Sequence, residues 1–428
     1  MKYIFTFLLT VLTLFSQTKS IINSPILKYD KPIKAGMSND RLDRIDQMLK
    51  NSIENNEIPG AVALIARNGK IVYHKAFGMA NNETNRRLKP DDIFRIASQT
   101  KAITATALMM LWEEGKFSLD EPISKYIPEF KNTGLLDIFS EEDSSFTIRP
   151  VDEEITIRHL LTHTSGIGYG FIDEDERFVK TYQKAGIIDG FTTAPVTIEE
   201  NIKKLAKLPL HHNPGENFTY SEGLDVLGYF IEIVSGLPLD EFFRQRIFDP
   251  LGMDDTWFYL PKSQYRRLVP IQIKEGGKWI KYTYDPYYDP DYPIKGAKSF
   301  FSGGAGLSST ARDYATFLQM YLNKGELNGI RLLSRTTVQF IMANQIGDLW
   351  GDYGVFYGLA FGVLDQKGQN MGGKGSIGTF DWGGIFNTQY FADPKEKIIG
   401  ILMKQTLELK SDKTGWKFRQ LVGQAIDD

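Results

Sequence analysis

Between residues 39 and 78 the chain changes its hydrophobic period. Leu42, Ile45, Met48 and Leu49 recur at helical spacing, and Asn39-Asp40 ahead of them caps a helix expected to run to about Asn55. Ala61-Val62-Ala63-Leu64-Ile65-Ala66 is instead an unbroken apolar run, which predicts a buried strand. Asn68-Gly69 is a hairpin turn signal, and residues 70–78 read as the returning strand. Ile103, Ala107, Met110 and Leu111 then mark a helix over 99–114 that Gly115 stops.

From residue 119 to about 293 the pattern is helical and loop-rich, with few strand-like alternations. It holds an acidic loop around 141–143 and 152–154, a helix over 221–235 ended by Gly236, and a Pro- and Tyr-rich surface loop at 285–293. Helix returns at 311–322, strands at 358–364, 386–391 and 398–403, and a closing helix at 415–425. The two ends supply strands and the middle supplies helices. The expected fold is α/β (α+β): an antiparallel sheet flanked by helices, built from both chain ends, with an inserted mainly helical domain. The α/β part covers about 38–116 and 296–428, and the insert about 117–295. Residues 21–38 read as an extended lead-in.

Residues 1–20 stand apart. Lys2 precedes the apolar run from Tyr3 to Phe15, and polar Ser16-Gln17-Thr18-Lys19-Ser20 follows. That order reads as a secretory signal peptide. The run falls short of the ~18–20 residues that span a bilayer, so no stable membrane span is expected after processing. The chain is expected to be exported, to a periplasm or fully secreted. It has no cysteine, which excludes a thiol nucleophile and a thiolate metal site. The net charge of −3 gives no electrostatic reason to bind nucleic acid.

Three strings carry candidate chemistry. In Phe94-Arg95-Ile96-Ala97-Ser98-Gln99-Thr100-Lys101 a Ser-x-x-Lys at a helix start sets serine and lysine on one face, a turn apart. Ser98 lies near the positive end of the helix dipole, and Lys101 accepts its proton only when neutral, a state that burial favours. The same four letters at Ser16-Gln17-Thr18-Lys19 fall in the leader, with no strand pair before them and no apolar-faced helix after. The second string is Tyr220-Ser221-Glu222-Gly223-Leu224-Asp225-Val226-Leu227-Gly228, where Tyr220 just ahead of a helix can point a phenol into a cleft and relay a proton. The third is Thr379-Phe380-Asp381-Trp382-Gly383-Gly384-Ile385-Phe386. Two glycines ahead of a strand let the backbone approach a ligand, and N–H groups there and at Ser98 can stabilise an oxyanion.

In this order the three strings resemble the serine β-lactamase and penicillin-binding-protein superfamily, most of all its class C β-lactamase-related branch and the family VIII carboxylesterases. Leu160-Leu161-Thr162-His163-Thr164-Ser165-Gly166, Pro214-Gly215-Glu216-Asn217, Asp249-Pro250-Leu251-Gly252-Met253 and Gly303-Gly304-Ala305-Gly306-Leu307-Ser308-Ser309-Thr310 are similar to further segments of that branch. The resemblance covers roughly residues 38–425. It implies that Ser98 forms an acyl-enzyme, that Lys101 and Tyr220 move the protons, and that the oxyanion sits between the N–H groups of Ser98 and Ile385. Trp382, Gly383 and Gly384 would complete the substrate-binding strand. No cofactor and no metal is implied, and the partner is a small-molecule or short-peptide acyl substrate.

Two departures shape the expected substrate. Glu222 stands where β-lactamases and penicillin-binding proteins have Asn, and Trp382-Gly383-Gly384 stands where they have Lys-Thr-Gly. Trp382 cannot supply the charge that holds a β-lactam carboxylate, so a carboxylic ester is expected to be cleaved in preference to an amide. The alternatives are a D-amino acid peptidase or β-lactamase, and a non-catalytic binding protein of the same fold. Lys413-Thr414-Gly415 reads as a coincidence, since it follows the last strand. The chain has five histidines, His74, His159, His163, His211 and His212, but no G-x-S-x-G elbow, which argues against an α/β-hydrolase triad, and adjacent His211-His212 do not share a face for a metal. His163 reads as structural.

Overall fold

The computed structural model describes residues 18–283, 289–407 and 412–428. The expected leader falls for the most part on residues 1–17, outside the described residues. Of its end, Lys19 bridges to Ile330 and the Ser20 N–H donates to Gly329 O at 2.8 Å.

One nine-stranded sheet organises the molecule. Its strands in chain order are β1 (Lys28–Tyr29), β2 (Gly60–Arg67), β3 (Lys70–Asn81), β4 (Arg86–Arg87), β5 (Val355–Tyr357), β6 (Gly362–Leu364), β7 (Phe380–Gly384), β8 (Thr388–Asp393) and β9 (Ile398–Met403). The spatial order is β1-β3-β2-β9-β8-β7-β6-β5, with β4 paired to β3. All pairings are antiparallel except β1 on β3. The join between the chain's two ends is β2 on β9, from Ile398↔Arg67 to Met403↔Val62.

The unbroken apolar run of β2 follows from its place. Val62, Leu64 and Ala66 enter the main core, and Ala61, Ala63 and Ile65 enter a second core on the opposite face. Strand side chains alternate, so a strand covered on both sides is apolar throughout. The second core is roofed by α1 (Asn39–Glu54) and α5 (Thr414–Gln424), which pack on each other. The main core holds α2 (Thr100–Glu113), α3 (Gly223–Ser235) and α4 (Ala311–Leu322). Every residue of α2 from Thr100 to Leu111 is buried, the condition of a central helix rather than an amphipathic surface one.

The sequence expectations meet the structure closely at α1, β2, β9, α4 and α5, and three differences have local causes. Residues 358–361 are a turn, not strand: the Gly358 N–H donates to Phe361 O at 2.9 Å and Ala360 has φ 65°. Gly383 and Gly384, expected ahead of a strand, are themselves the last residues of one, β7, and β8 begins only at Thr388. The turn follows them, with Asn387 at φ 69°, its N–H on Gly384 O at 2.8 Å, and Phe386 fully buried. The Pro- and Tyr-rich stretch falls partly on residues 284–288, outside the described residues, and Tyr292 at its end is buried against Phe191 rather than at the surface.

Between the two sheet-forming parts, the chain carries helices such as Glu176–Ala185 and Ile198–Leu205. It also carries two hairpins that the alternation did not reveal, Gly134–Phe139 with Phe146–Pro150 and Gln272–Glu275 with Lys278–Lys281. The acidic Glu141-Glu142-Asp143 group is the exposed tip of the first.

Candidate active site

From Asp92 to Leu111 every residue is buried except Ser98. Ser98 lies in a single 3-10 turn, Ala97–Gln99, that leads into α2. The turn starts from Ala97 at φ 44°, left-handed backbone that a residue with a Cβ adopts at a cost of about 1–2 kcal/mol. Burial holds it there, since Ala97 packs with Phe191, Ala305 and Phe386. Ser98, next in the chain, is the half-buried residue of that run.

Lys101, one turn into α2, is fully buried. Its Nζ donates to Gly304 O at 2.9 Å and lies 3.5 Å from Ser98 Oγ and 3.3 Å from Tyr169 Oη. Gly304 comes this close because Gly303 fits between α2 and α3: a Cβ on Gly303 would sit 2.5 Å from Leu224 O. The amine also lies over two rings, 4.7 Å from the Tyr220 centroid and 5.2 Å from that of Tyr169. These rings stack at 5.6 Å and 14°. Tyr220 thus meets the lysine through its ring face, just ahead of α3.

Trp382 closes the other side of Tyr220, ring to ring at 5.9 Å, and itself packs on Trp350 at 5.8 Å and Tyr357 at 5.6 Å. The wall beside the reactive groups is therefore aromatic. Along β7, Trp382 and Gly384 face inward while Asp381 and Gly383 face α5, where Asp381 pairs with Arg419. Gly384 lies against the Ser98 turn: a Cβ there would stand 2.4 Å from Ile96 O. Among the described residues neither the Ser98 N–H nor the Ile385 N–H has a protein acceptor.

Two carboxyls, Asp225 and Glu222, stand near the lysine. Asp225 accepts from Ser302 Oγ at 2.5 Å and Gly304 N at 3.2 Å, and burial raises its pKa while Lys101 opposes the rise. Burial and the neighbouring Asp189 push the Glu222 carboxyl well above the usual range. The acid at this motif position is therefore favoured in its neutral form, as the Asn of the related motif is neutral. Burial, and then Asp225, likewise push the Tyr169 phenol well above 10.

His163 is structural in this site. Its Nδ1 accepts from Ser221 N at 3.1 Å and meets Ser221 Oγ at 2.9 Å, and its ring packs on Tyr220 at 4.5 Å. Burial, and secondarily Lys101, hold its pKa well below 6.5. It orients Tyr220 through the next residue. His211 bonds Asp173 at 3.0 Å and His212 bonds Thr219 at 2.9 Å, so the adjacent pair diverges. Lys413-Thr414-Gly415 begins α5, where Thr414 bonds Asp412.

The structure thus gathers Ser98, Lys101, Tyr220 and Trp382 from three distant segments, with Gly384 against the turn that carries Ser98. Sequence reasoning missed Tyr169 and the Gly304 carbonyl. The signal for Tyr169 was its flanking glycines: a Cβ on Gly168 would stand 2.4 Å from Asp173 and one on Gly170 2.0 Å from Asp189, so Gly-Tyr-Gly marks a backbone threaded between buried groups.

Comparison with known proteins places this geometry in context. The Beta-lactamase family profile matches residues 45–424. Esterase EstB of Burkholderia gladioli is 30% identical over 382 residues, covering 85% of this chain and 90% of its own. Lovastatin esterase of Penicillium rubens is 29% identical over 382 residues, covering 83% and 91%. Among solved structures, EstCE1, described as a hydrolase with promiscuous acyltransferase activity, superposes with a TM-score of 0.76 at 26% identity, covering 91% of this chain and 98% of its own.

Proposed function

Because the chain belongs to the Beta-lactamase family and is a serine hydrolase of carboxylesterase-like type, we propose that it is an exported enzyme that cleaves a small-molecule carboxylic ester through a Ser98 acyl-enzyme. The observation that carries this reading is Ser98, the one half-buried residue in a buried run, with its Oγ 3.5 Å from the Nζ of a fully buried lysine. Ser98 Oγ attacks the ester carbonyl carbon, and its proton passes to the unprotonated form of the Lys101 amine, with Tyr220 and its stacked neighbour Tyr169 lining the proton's path. The carbonyl oxygen becomes an oxyanion between the N–H groups of Ser98 and Ile385. Loss of one such donor raises a barrier by roughly 2.7–4 kcal/mol. Collapse expels the alcohol, which takes the proton from the lysine. Water, deprotonated by the same groups, then attacks the acyl carbon and restores the Ser98 hydroxyl.

The aromatic wall of Trp382 and Trp350, backed by the buried Tyr357, supports an apolar, uncharged substrate, and these rings offer no charge to a carboxylate beside the scissile bond. Parallel assays with p-nitrophenyl acetate and nitrocefin test this preference, and efficient β-lactam turnover overturns it. Mass spectrometry after fluorophosphonate treatment is expected to find an adduct on Ser98. No adduct means a binding protein. Export is supported by the charged, apolar and then polar order of residues 1–20. Among the described residues no helix is long and apolar enough to cross a membrane. N-terminal sequencing of protein recovered outside the cytoplasm tests export, and an intact Met1 in that material refutes cleavage.

A further inference from the structure

Just past β9 the chain runs Lys404-Gln405-Thr406, polar and almost fully buried at 1%, 2% and 1% exposure. Burying three polar side chains in succession is costly unless each is bonded, and each is. Gln405 acts as a piece of strand: its Oε1 accepts from Arg95 N at 2.7 Å and its Nε2 donates to Arg95 O at 3.3 Å. Arg95 lies three residues before Ser98. Thr406 holds a different segment. Its N–H donates to Phe386 O at 3.1 Å, and its Oγ1 accepts from Asn387 Nδ2 at 3.1 Å. Phe386 and Asn387 follow Ile385 directly.

Lys404 fixes the frame around both. Its Nζ pairs with Asp412 and donates to Thr414 Oγ1 at 2.7 Å, while Asp412 Oδ2 also accepts from Asn387 Nδ2 at 2.6 Å. The pair is buried on both sides, Lys404 at 0% and Asp412 at 3% side-chain exposure. One tripeptide therefore grips the strand that leads to Ser98 and the turn that carries Ile385. Nothing in the reaction uses these side chains directly.

We propose that Gln405 and Thr406, held by the Lys404–Asp412 ion pair, are positioning residues that fix the separation of the Ser98 and Ile385 N–H groups. The inference rests on the oxyanion reading given above. A donor pair set by two independent loops would drift, and a shift of about 1 Å in such a site costs on the order of 100-fold. A bracket tied to the end of a central strand removes that freedom.

The experiment compares Gln405→Leu, Thr406→Val and Thr406→Ser in the full chain. Gln405→Leu and Thr406→Val are expected to lower kcat for p-nitrophenyl acetate at least tenfold with KM within about twofold. Affinity for phenylboronic acid, which forms a tetrahedral adduct on the serine, is expected to fall in parallel. Thr406→Ser keeps the hydroxyl and is expected to restore most of the activity. A merely structural role would lower kcat, adduct affinity and folded fraction together, or lower none, and would not separate kcat from KM. Circular dichroism and active-site titration with the fluorophosphonate correct for any unfolded protein. If the wild type turns over ester and labels on Ser98 while both variants keep kcat per labelled site, the bracket is wrong and the enzyme reading stands. If Ser98 does not label in the wild type, the enzyme reading itself fails.

Discussion

Gly384 offers a direct test of the proposed role of β7 beside Ser98. A Cβ at this position would lie 2.4 Å from Ile96 O and 2.6 Å from Thr388 Oγ1. Ordinary contact begins near 3.4 Å, so Gly384→Ala forces β7 and the Ser98 turn apart by about 1 Å. Neither Gly384 nor Gly383 has a positive φ, so alanine brings no backbone strain of its own. The displaced element is the one carrying the Ile385 N–H. An oxyanion donor acts at 2.7–3.1 Å, and moving it by about 1 Å removes most of its ~2.7–4 kcal/mol. Gly384→Ala is therefore expected to lower kcat/KM for p-nitrophenyl acetate roughly 100- to 1000-fold, mainly in kcat. Gly383→Ala is the internal control. Its Cβ would face outward toward α5, with Thr388 O at 3.1 Å and Gln389 Cγ at 3.8 Å, and a loss below about fivefold is expected. Both proteins should unfold cooperatively by circular dichroism. A folded Gly384→Ala enzyme with more than a third of wild-type kcat/KM would refute the proposed role of β7 in holding an oxyanion donor beside Ser98.

Three further outcomes follow from the same contacts. Lys404→Met leaves Asp412 charged and buried without its cation, and a stability loss of about 3–5 kcal/mol is expected in urea unfolding; a loss under about 1 kcal/mol contradicts the buried pair. Tyr169→Phe removes the hydroxyl 3.3 Å from Lys101 Nζ and is expected to lower kcat/KM about tenfold at nearly unchanged melting temperature, whereas full activity shows that this hydroxyl is idle. Burial raises the Glu232 pKa to about 7, so the folded state favours the neutral acid and its stability contribution is present below the unfolded value and lost as pH rises through about 7. Glu232→Gln, neutral throughout, is expected to gain on the wild type by roughly 1–2 kcal/mol between pH 5 and 8, after allowance for partial exposure. A pH-independent difference removes that assignment.

The helices and central strands were legible because their patterns are dictated by burial on one or two faces. Asn39–Glu54 shows a stripe, Gly60–Arg67 an unbroken run, and Ser98 with Lys101 a spacing that only a helical turn brings onto one face. Less visible was whatever depends on contacts between distant segments. The hairpin Gly134–Phe139 with Phe146–Pro150 has most of its residues exposed or half-buried, so it lacks the apolar alternation that announces a strand. Tyr169 joins the cluster around Lys101 through a contact 68 positions away in sequence, which no local pattern encodes. Gly383-Gly384 reads as preceding a strand yet ends one, because Gly-Gly signals a close approach without saying whether strand or turn makes it.

The seam between β2 and β9 also bears on how the chain is made. Arg67 pairs with Ile398, so the ribosome must add more than three hundred residues after one partner emerges before the other exists. At about 5–20 residues per second that interval is on the order of tens of seconds. Throughout it, an apolar strand destined for burial on both faces has no neighbour on its β9 side. Newly made chains should therefore depend on holding factors until the last strand arrives, and a stop codon ahead of residue 398 should yield aggregate rather than a smaller working protein.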